Sequence, residues 1–310
     1  MRYYLAPLEG ITGYIFRNAV HHYFDDGCID AYFTPFFSPH TKRSVHSREI
    51  KDILPENNAG IHLIPQMLTD SADDFMNFES DIKHYGYEEA NLNLGCPSGT
   101  VASKGRGAGF LGKPEKLDAF LAEVFERTTL KLSVKTRIGV ESPDEFYKLL
   151  EIYNKYPISE LIIHPRVKKE MYSGKVHKDI FEYAMKNAKM PLIYNGDVGY
   201  GCFEDIPGSG QQIAGVMCGR GMVRDPSLLR RLSGGNAVGR DELKAFLDEI
   251  VDNYAAIYSG EVPVLHKMKE IWAHMADIFP QNPKNVKKIV KSKTLSEYKT
   301  EVDFILRTMI

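Results

Sequence analysis

Short runs rich in β-formers recur along the first two-thirds of the chain, at 2–6, 31–34, 61–66, 90–94, 132–137, 161–164, 191–195 and 215–218. Between most of them lie segments with apolar residues at helical spacing: 14–23, 71–84, 114–128, 144–156 and 178–187, with shorter ones near 202–206 and 226–231. Strands that alternate with helices pair in parallel, because parallel neighbours need a crossover element between them. Eight such units in about 235 residues predict an α/β fold of the (β/α)8 TIM-barrel type, whose typical length is about 250 residues. A doubly wound sheet is the alternative. Its usual glycine-rich turn after the first strand is missing, and Leu5-Ala6-Pro7-Leu8-Glu9 stands there instead.

After Gly234-Gly235-Asn236 the pattern changes to helical spacing alone, over 241–258, 264–278, 283–291 and 295–308, punctuated by Pro263, Pro280 and Pro283. The expected organisation is a barrel over 1–235 followed by a small all-helical C-terminal domain over 236–310.

Composition narrows the class. Of 310 residues, 43% are hydrophobic and 26% charged, enough apolar surface for a sizeable core and too much for disorder. Lys plus Arg total 39 against 41 Asp plus Glu, so any basic surface for nucleic acid must be local. The cysteines Cys28, Cys96, Cys202 and Cys218 include no CxxC pair, so neither a zinc ribbon nor a disulfide framework is expected, and no metal. The amino terminus lacks the apolar stretch of a signal peptide, and no apolar run approaches the roughly 18 residues of a membrane span. A cytoplasmic monomer that needs no membrane is the expectation.

Barrel enzymes carry their sites at the carboxyl ends of the strands. In order, these ends offer Ala6-Pro7-Leu8, Thr34, Gln66, Asn91 and Asn93 with Cys96, Lys135 and Arg137, His164 and Arg166, Asn195 and Asp197, and Gly219 and Arg220. Loops are wet and some polarity is ordinary there, but Lys, Arg, His and Asn together on one rim predict a functional site. Gly219-Arg220-Gly221 can bring backbone N–H groups and a guanidinium to an anion, and the loops after strands seven and eight are the usual phosphate site of this fold. With Asn195-Gly196-Asp197 just before it, a phosphorylated cofactor is the better reading than a tight turn. Lys135 and Arg137 are two apart on a strand, hence on one face; they serve either a buried ion pair with Asp197 or a ring that accumulates negative charge. His164 and Arg166 share that spacing, and His164 is either simply hydrogen-bonded or functional.

The loop Asn93-Leu94-Gly95-Cys96-Pro97-Ser98 is the most specific local feature, running on into the glycine-rich, mobile-looking segment 101–111 with Lys104 and Arg106. A thiol with its ordinary pKa of about 8.5 is mostly protonated at neutral pH, so Cys96 can donate a proton or act as a nucleophile. Cys28, Cys202 and Cys218 read as structural. In the tail, Lys284, Lys287, Lys288 and Lys291 fall on one helix stripe, either a solvated face or an RNA footing.

Taken together, Ala6-Pro7-Leu8-Glu9-Gly10-Ile11-Thr12, Asn91-Leu92-Asn93-Leu94-Gly95-Cys96-Pro97, Lys104-Gly105-x-Gly107, Val134-Lys135-Thr136-Arg137, His164-Pro165-Arg166, Asn195-Gly196-Asp197-Val198 and Gly219-Arg220-Gly221 resemble the tRNA-dihydrouridine synthases. They stand in that family's order across the whole barrel, and the helical tail is similar in size and place. The resemblance implies an FMN enzyme that reduces the C5=C6 bond of particular uridines in tRNA, with NADPH as reductant. It implies that Ala6, Pro7 and Leu8 line the flavin through backbone, that Gln66 and Lys135 meet its ring, and that His164, Asn195, Gly196, Asp197, Gly219 and Arg220 hold the ribityl chain and phosphate. Cys96 would give a proton to C5 while hydride passes from the flavin to C6. Asn93 would position the uracil, and Lys104, Arg137 and Arg166 would face the substrate, with Lys287 and Lys288 as further tRNA contacts. Leu8 departs from the family's commoner Met, and Gly109 and Phe110 alter the run behind the cysteine loop. Three other readings are a flavin barrel acting on a free pyrimidine, like a dihydroorotate dehydrogenase, a catalytically silent RNA-binding protein, and a flavin-free phosphate-binding lyase.

Overall fold

The computed structural model describes residues 1–39, 47–199, 201, 203–210 and 212–309. Its centre is a ring of parallel strands: β1 (Arg2–Leu5), β2 (Ala31–Phe33), β3 (Leu63–Ile64), β4 (Gln66–Met67), β5 (Glu89–Leu94), β6 (Lys131–Arg137), β7 (Leu161–His164), β8 (Leu192–Asn195) and β9 (Gly215–Cys218). The pairing order is β3-β2-β1-β9-β8-β7-β6-β5-β4. β3 and β4 are two halves of one predicted strand, interrupted at Pro65, which has no N–H to give to a ladder. One half bonds β2 and the other bonds β5, so the ring closes with eight strand positions. Gly215 is needed at the seam between β1 and β9, since a Cβ there would lie 2.4 Å from the Arg2 carbonyl oxygen.

Helices α1 (Tyr14–Phe24), α2 (Ser47–Ile50), α3 (Ala72–His84), α4 (Gly99–Ala102), α5 (Pro114–Arg127), α6 (Glu145–Tyr153), α7 (Lys178–Asn187), α8 (Arg220–Arg224) and α9 (Leu228–Leu232) occupy the connections. The longer ones bury one apolar stripe against the outer strand faces, as Leu117, Phe120, Leu121 and Val124 do on α5. Inside the ring, Tyr4, Ala6, Ala31, Phe33, Ile64, Ile162, Ile193 and Met217 form a separate apolar plug. Residues 203–210 run as bends and turns instead of the short helix expected near 202–206, and Cys202 lies outside the described residues. The glycine-rich segment folds as α4 and a 3-10 turn over Gly107–Gly112, with Phe110 and Leu111 buried.

The tail is helical, as α10 (Arg240–Ile257), α11 (Glu261–Met275), α12 (Pro283–Lys291) and α13 (Leu295–Leu306). Pro263 was expected to precede a helix and instead sits in the first turn of α11, where its missing N–H has no intrahelical partner to lose. Phe246 of α10 packs edge-on against Phe16 and Phe24 of α1, at centroid distances of 5.8 and 5.2 Å. Arg230 donates to both carboxylate oxygens of Glu242 at 2.6 and 2.8 Å across the joint. Barrel and tail therefore share one continuous apolar core. No helix among the described residues is long and apolar enough to cross a membrane.

Candidate active site

At the carboxyl ends of the strands the ring opens into a cavity of about 480 Å³. Fourteen of the residues singled out from the sequence line it: Ala6, Pro7, Leu8, Gln66, Asn93, Cys96, Lys135, Arg137, His164, Asn195, Gly196, Asp197, Gly219 and Arg220. Lys104 stays exposed on the turn after α4, and Lys287 and Lys288 are exposed on α12 with Val286 and Ile289 buried beneath them.

One wall is a chain of amides. Asn93 Nδ2 donates to Gln66 Oε1 at 2.8 Å, Gln66 Nε2 to Asn91 Oδ1 at 2.7 Å, and Asn91 Nδ2 to Ser133 Oγ at 2.7 Å. Each side chain's orientation is set by its neighbour, so the wall is rigid before any ligand arrives. Asn93 Oδ1 is already occupied: it accepts from the Gly95 and Cys96 N–H groups at 3.0 and 2.9 Å and so shapes the cysteine loop. What Asn93 can still offer a ligand is an N–H. Arg137 secures the same loop, donating from Nε to the Gly95 carbonyl at 3.0 Å and from Nη1 to Val167 at 3.1 Å.

The electrostatics follow from burial among cations. Burial pushes the Cys96 thiol up, only partly offset by the Ser98 backbone hydrogen bond and by the Lys135 and Arg137 charges, so the group is a thiol at neutral pH. Lys135 is lowered to about 8 by burial and by Arg137. Its ammonium makes no hydrogen bond or ion pair among the described residues, so the alternative of an ion pair with Asp197 is not realised. His164 is held neutral by burial and by Arg137, Lys135, Arg166 and Arg220. Arg166 Nη1 faces its Nε2 at 3.1 Å, and since an arginine only donates, the imidazole proton belongs on Nδ1.

Arg166 itself is 3% exposed and lies behind the cavity wall, not on its surface. It donates to Gly174 O at 2.6 Å and to Asp197 Oδ2, while Arg220 donates to Asp197 Oδ1 at 2.7 Å. Arg166 is thus a brace for Asp197 and Arg220, which corrects the expectation that it faces a substrate. Gly196, at φ +144, leaves room for this packing: a Cβ would sit 3.0 Å from His164 Cδ2. Two lining residues escaped the sequence reading. Tyr172, in the loop after β7, lies with its ring 5.2 Å from the Arg137 guanidinium and 4.6 Å from that of Arg220. Arg224 adds a cation from the end of α8 and pairs with Asp277 of the tail at 3.0 Å. Neither ends a predicted strand, so no periodicity marks them.

The cavity therefore presents Lys135, Arg137, Arg220 and Arg224 against Glu9 and Asp197, a surplus of positive charge beside a neutral thiol. It can hold a large anionic ligand and deliver a proton next to it.

A probable tRNA-dihydrouridine synthase of Staphylococcus aureus is 29% identical over 236 residues, covering 72% of this chain and 68% of that protein. Probable tRNA-dihydrouridine synthase 2 of Bacillus subtilis is 28% identical over 238 residues, covering 72% and 69%. Among solved structures, a variant of NCR from Zymomonas mobilis aligns with a TM-score of 0.52 at 14% identity, over 76% of this chain and 88% of that one. Morphinone reductase aligns with a TM-score of 0.52 at 12% identity, over 77% and 87%. At those identities the structures speak for the barrel fold alone. The family model described as Dihydrouridine synthase (Dus) matches residues 4–306, and the chain belongs to that family.

Proposed function

We propose that this protein reduces the C5=C6 bond of specific uridines in tRNA to 5,6-dihydrouridine, using FMN bound at the barrel rim and NADPH as the source of electrons. The observation that carries the reading is the half-buried Lys135 ammonium, without a hydrogen bond or ion pair among the described residues, beside a protonated Cys96 in one cavity. A cation half-withdrawn from water and without a partner is stabilised when a ligand brings the anion. A flavin ring, whose reduced form is anionic, supplies that charge, so the residues present fit the cofactor. The backbone of Ala6, Pro7 and Leu8, the Gln66 amide and Lys135 would hold the ring. His164 Nδ1, Asn195, Gly196, Gly219 and Arg220, with Asp197 steadying Arg220, would hold the ribityl phosphate. When bound, the flavin supplies the hydride that uracil C6 takes up, and NADPH restores it.

The chain's own groups do the rest. Cys96 holds a proton at Sγ for C5, and its raised pKa keeps that proton in place at neutral pH. Asn93 fixes the loop that carries the thiol and keeps an N–H for the uracil edge. The Arg137 charge lowers the energy of the negative oxygen that develops at uracil C4. The uridine must leave its stack to reach the cavity, a cost of a few kcal/mol that tRNA loops reduce. We assign residues 1–235 to catalysis and 236–310 to tRNA binding, with Lys104, Lys287 and Lys288 as phosphate contacts, in a cytoplasmic, metal-free monomer.

The test is direct. Purified protein should be yellow, release FMN on denaturation, and form dihydrouridine in tRNA from a deletion strain when given NADPH. A colourless protein, or reduction of a free pyrimidine with no effect on tRNA, would overturn the proposal.

A further inference from the structure

The tail reaches the active cavity at the corner formed by the loops after β8 and β9. α8, which opens directly after β9, packs against α11 and against the 3-10 turn Ala276–Ile278 that follows it. Arg220 and Arg224 are the first and last residues of α8, one turn apart and hence on one face, and both line the cavity beside Val198, Gly199 and Gly221. The loop carrying Val198 lies flat against α8, since a Cβ on Gly221 would sit 2.5 Å from the Val198 carbonyl oxygen. His274 of α11 is held below its ordinary range by burial and by the charges of Arg224 and Arg220, so the tail faces both guanidinium groups.

Like charges one helical turn apart repel, and each of these has its own carboxylate. Arg220 donates to Asp197 within the barrel at 2.7 Å. Arg224 meets Asp277 of the tail, Nε to Oδ2, at 3.0 Å. That contact uses only the inner donor of the fork. The Nη groups of Arg224 make no hydrogen bond or ion pair among the described residues. A carboxylate on Nε fixes the plane of the guanidinium and leaves its outer end for an oxyanion, the arrangement that suits bidentate recognition of a phosphate. With Arg166 also on Asp197, the guanidinium groups of this corner outnumber the carboxylates that pair with them, so positive charge is in excess there.

We propose that the tail completes the phosphate end of the cofactor site: Asp277 holds Arg224 as a second guanidinium ligand, beside Arg220, for the phosphate monoester of the flavin. The inference rests on the FMN reading above and deepens it. Its consequence is a coupling between the two regions of the chain. Flavin binding and docking of the Asp277 turn favour one another through Arg224, and by linkage each strengthens the other by the same factor. The region assigned to tRNA binding then also contributes to cofactor retention.

The experiment titrates full-length apoprotein with FMN and with riboflavin, which has the same ring and ribityl chain without the phosphate. The ratio of the two affinities isolates the phosphate contact. Arg224→Met should weaken FMN about tenfold, the low end for a charge-assisted bond because this side chain is half exposed, and leave riboflavin within about twofold of normal. Asp277→Ala should weaken FMN about threefold with riboflavin unchanged, and add nothing further on top of Arg224→Met. Unchanged FMN affinity in both variants, or equal losses for FMN and riboflavin, would overturn the proposal. Additive losses in the double variant would overturn the part given to the tail. Weaker tRNA binding by Arg224→Met with FMN affinity intact would assign the guanidinium to a backbone phosphodiester and overturn it as well. Asp277 lies on exposed surface, so if Arg224→Met fails to fold, the FMN-to-riboflavin ratio of Asp277→Ala still decides. Wild-type protein that binds neither flavin would instead sink the parent reading.

Discussion

Cys96 and Lys135 lie on neighbouring strand ends, and burial drives each toward its uncharged form. For Cys96 that form is the acid. Cys96→Ala should keep the flavin and the oxidation of NADPH by oxygen but lose dihydrouridine formation by about 10²- to 10⁴-fold, the usual contribution of a positioned general acid. Near-normal dihydrouridine in the mutant, measured by nucleoside mass spectrometry, would place the proton source elsewhere. For Lys135 the consequence is a pH dependence of cofactor affinity. In the free protein its ammonium titrates near 8, and an anionic ring edge raises that value on binding. Binding above pH 8 therefore takes up a proton. Affinity for reduced FMN should be full below pH 8 and fall by up to about tenfold per pH unit above it. Anaerobic titration with reduced FMN from pH 7 to 10 measures this directly, and Lys135→Met should bind weakly with no such slope. A flat wild-type profile would remove Lys135 from the ring.

The cysteine loop shows how a local element is aimed. Gly107, at φ +54 in the 3-10 turn, packs so closely that a Cβ would lie 2.8 Å from Cys96 O and 3.1 Å from Cys96 Cβ. Gly107→Ala must shift one segment or the other, and the left-handed backbone adds strain. The expected outcome is at least a tenfold loss in kcat with flavin affinity within about twofold of normal, because a displacement near 1 Å at a catalytic group can cost about 10² while Gly107 lies outside the cavity wall. Equal kcat for mutant and wild type would mean that the loop reseats without cost. The braces after β7 and β8 obey the same logic, with Arg166 spent on holding Asp197 and Arg220 in place.

Across the protein as a whole, near-neutral charge conceals local separation. The active cavity carries an excess of cations, and α12 an exposed lysine stripe on which Lys288 meets Glu301 at 3.4 Å. If that stripe meets tRNA phosphates, reversing Lys287 and Lys288 to Glu should flatten the plot of log affinity against log salt by about 1.4–1.8 units, roughly 0.7–0.9 per lost contact. Flavin absorbance should stay as it was. An unchanged slope with unchanged tRNA affinity would make the stripe a solvated face and return the search to Lys104, Arg106 and the rim.

Strand and helix alternation was legible in the sequence because both periods are local. Once parallel pairing follows, the barrel sends every strand end to one rim, so reading Gln66, Asn93, Lys135, His164, Asn195 and Arg220 as neighbours needed no coordinates. Pro65 shows the limit of periodicity: the run through it reads as one strand, yet its missing N–H divides the ladder. Spacing also put Arg166 beside His164 without saying that its donors were already committed to Gly174 and Asp197. Tyr172 and Arg224 carry no sequence signal, since each matters through groups far along the chain. Cys96 was legible as a protonated thiol from its ordinary value alone, but its further rise and the lowered Lys135 were not. Protonation depends on how many charges and how little water surround a group, and only the closed barrel with its tail in place settles that.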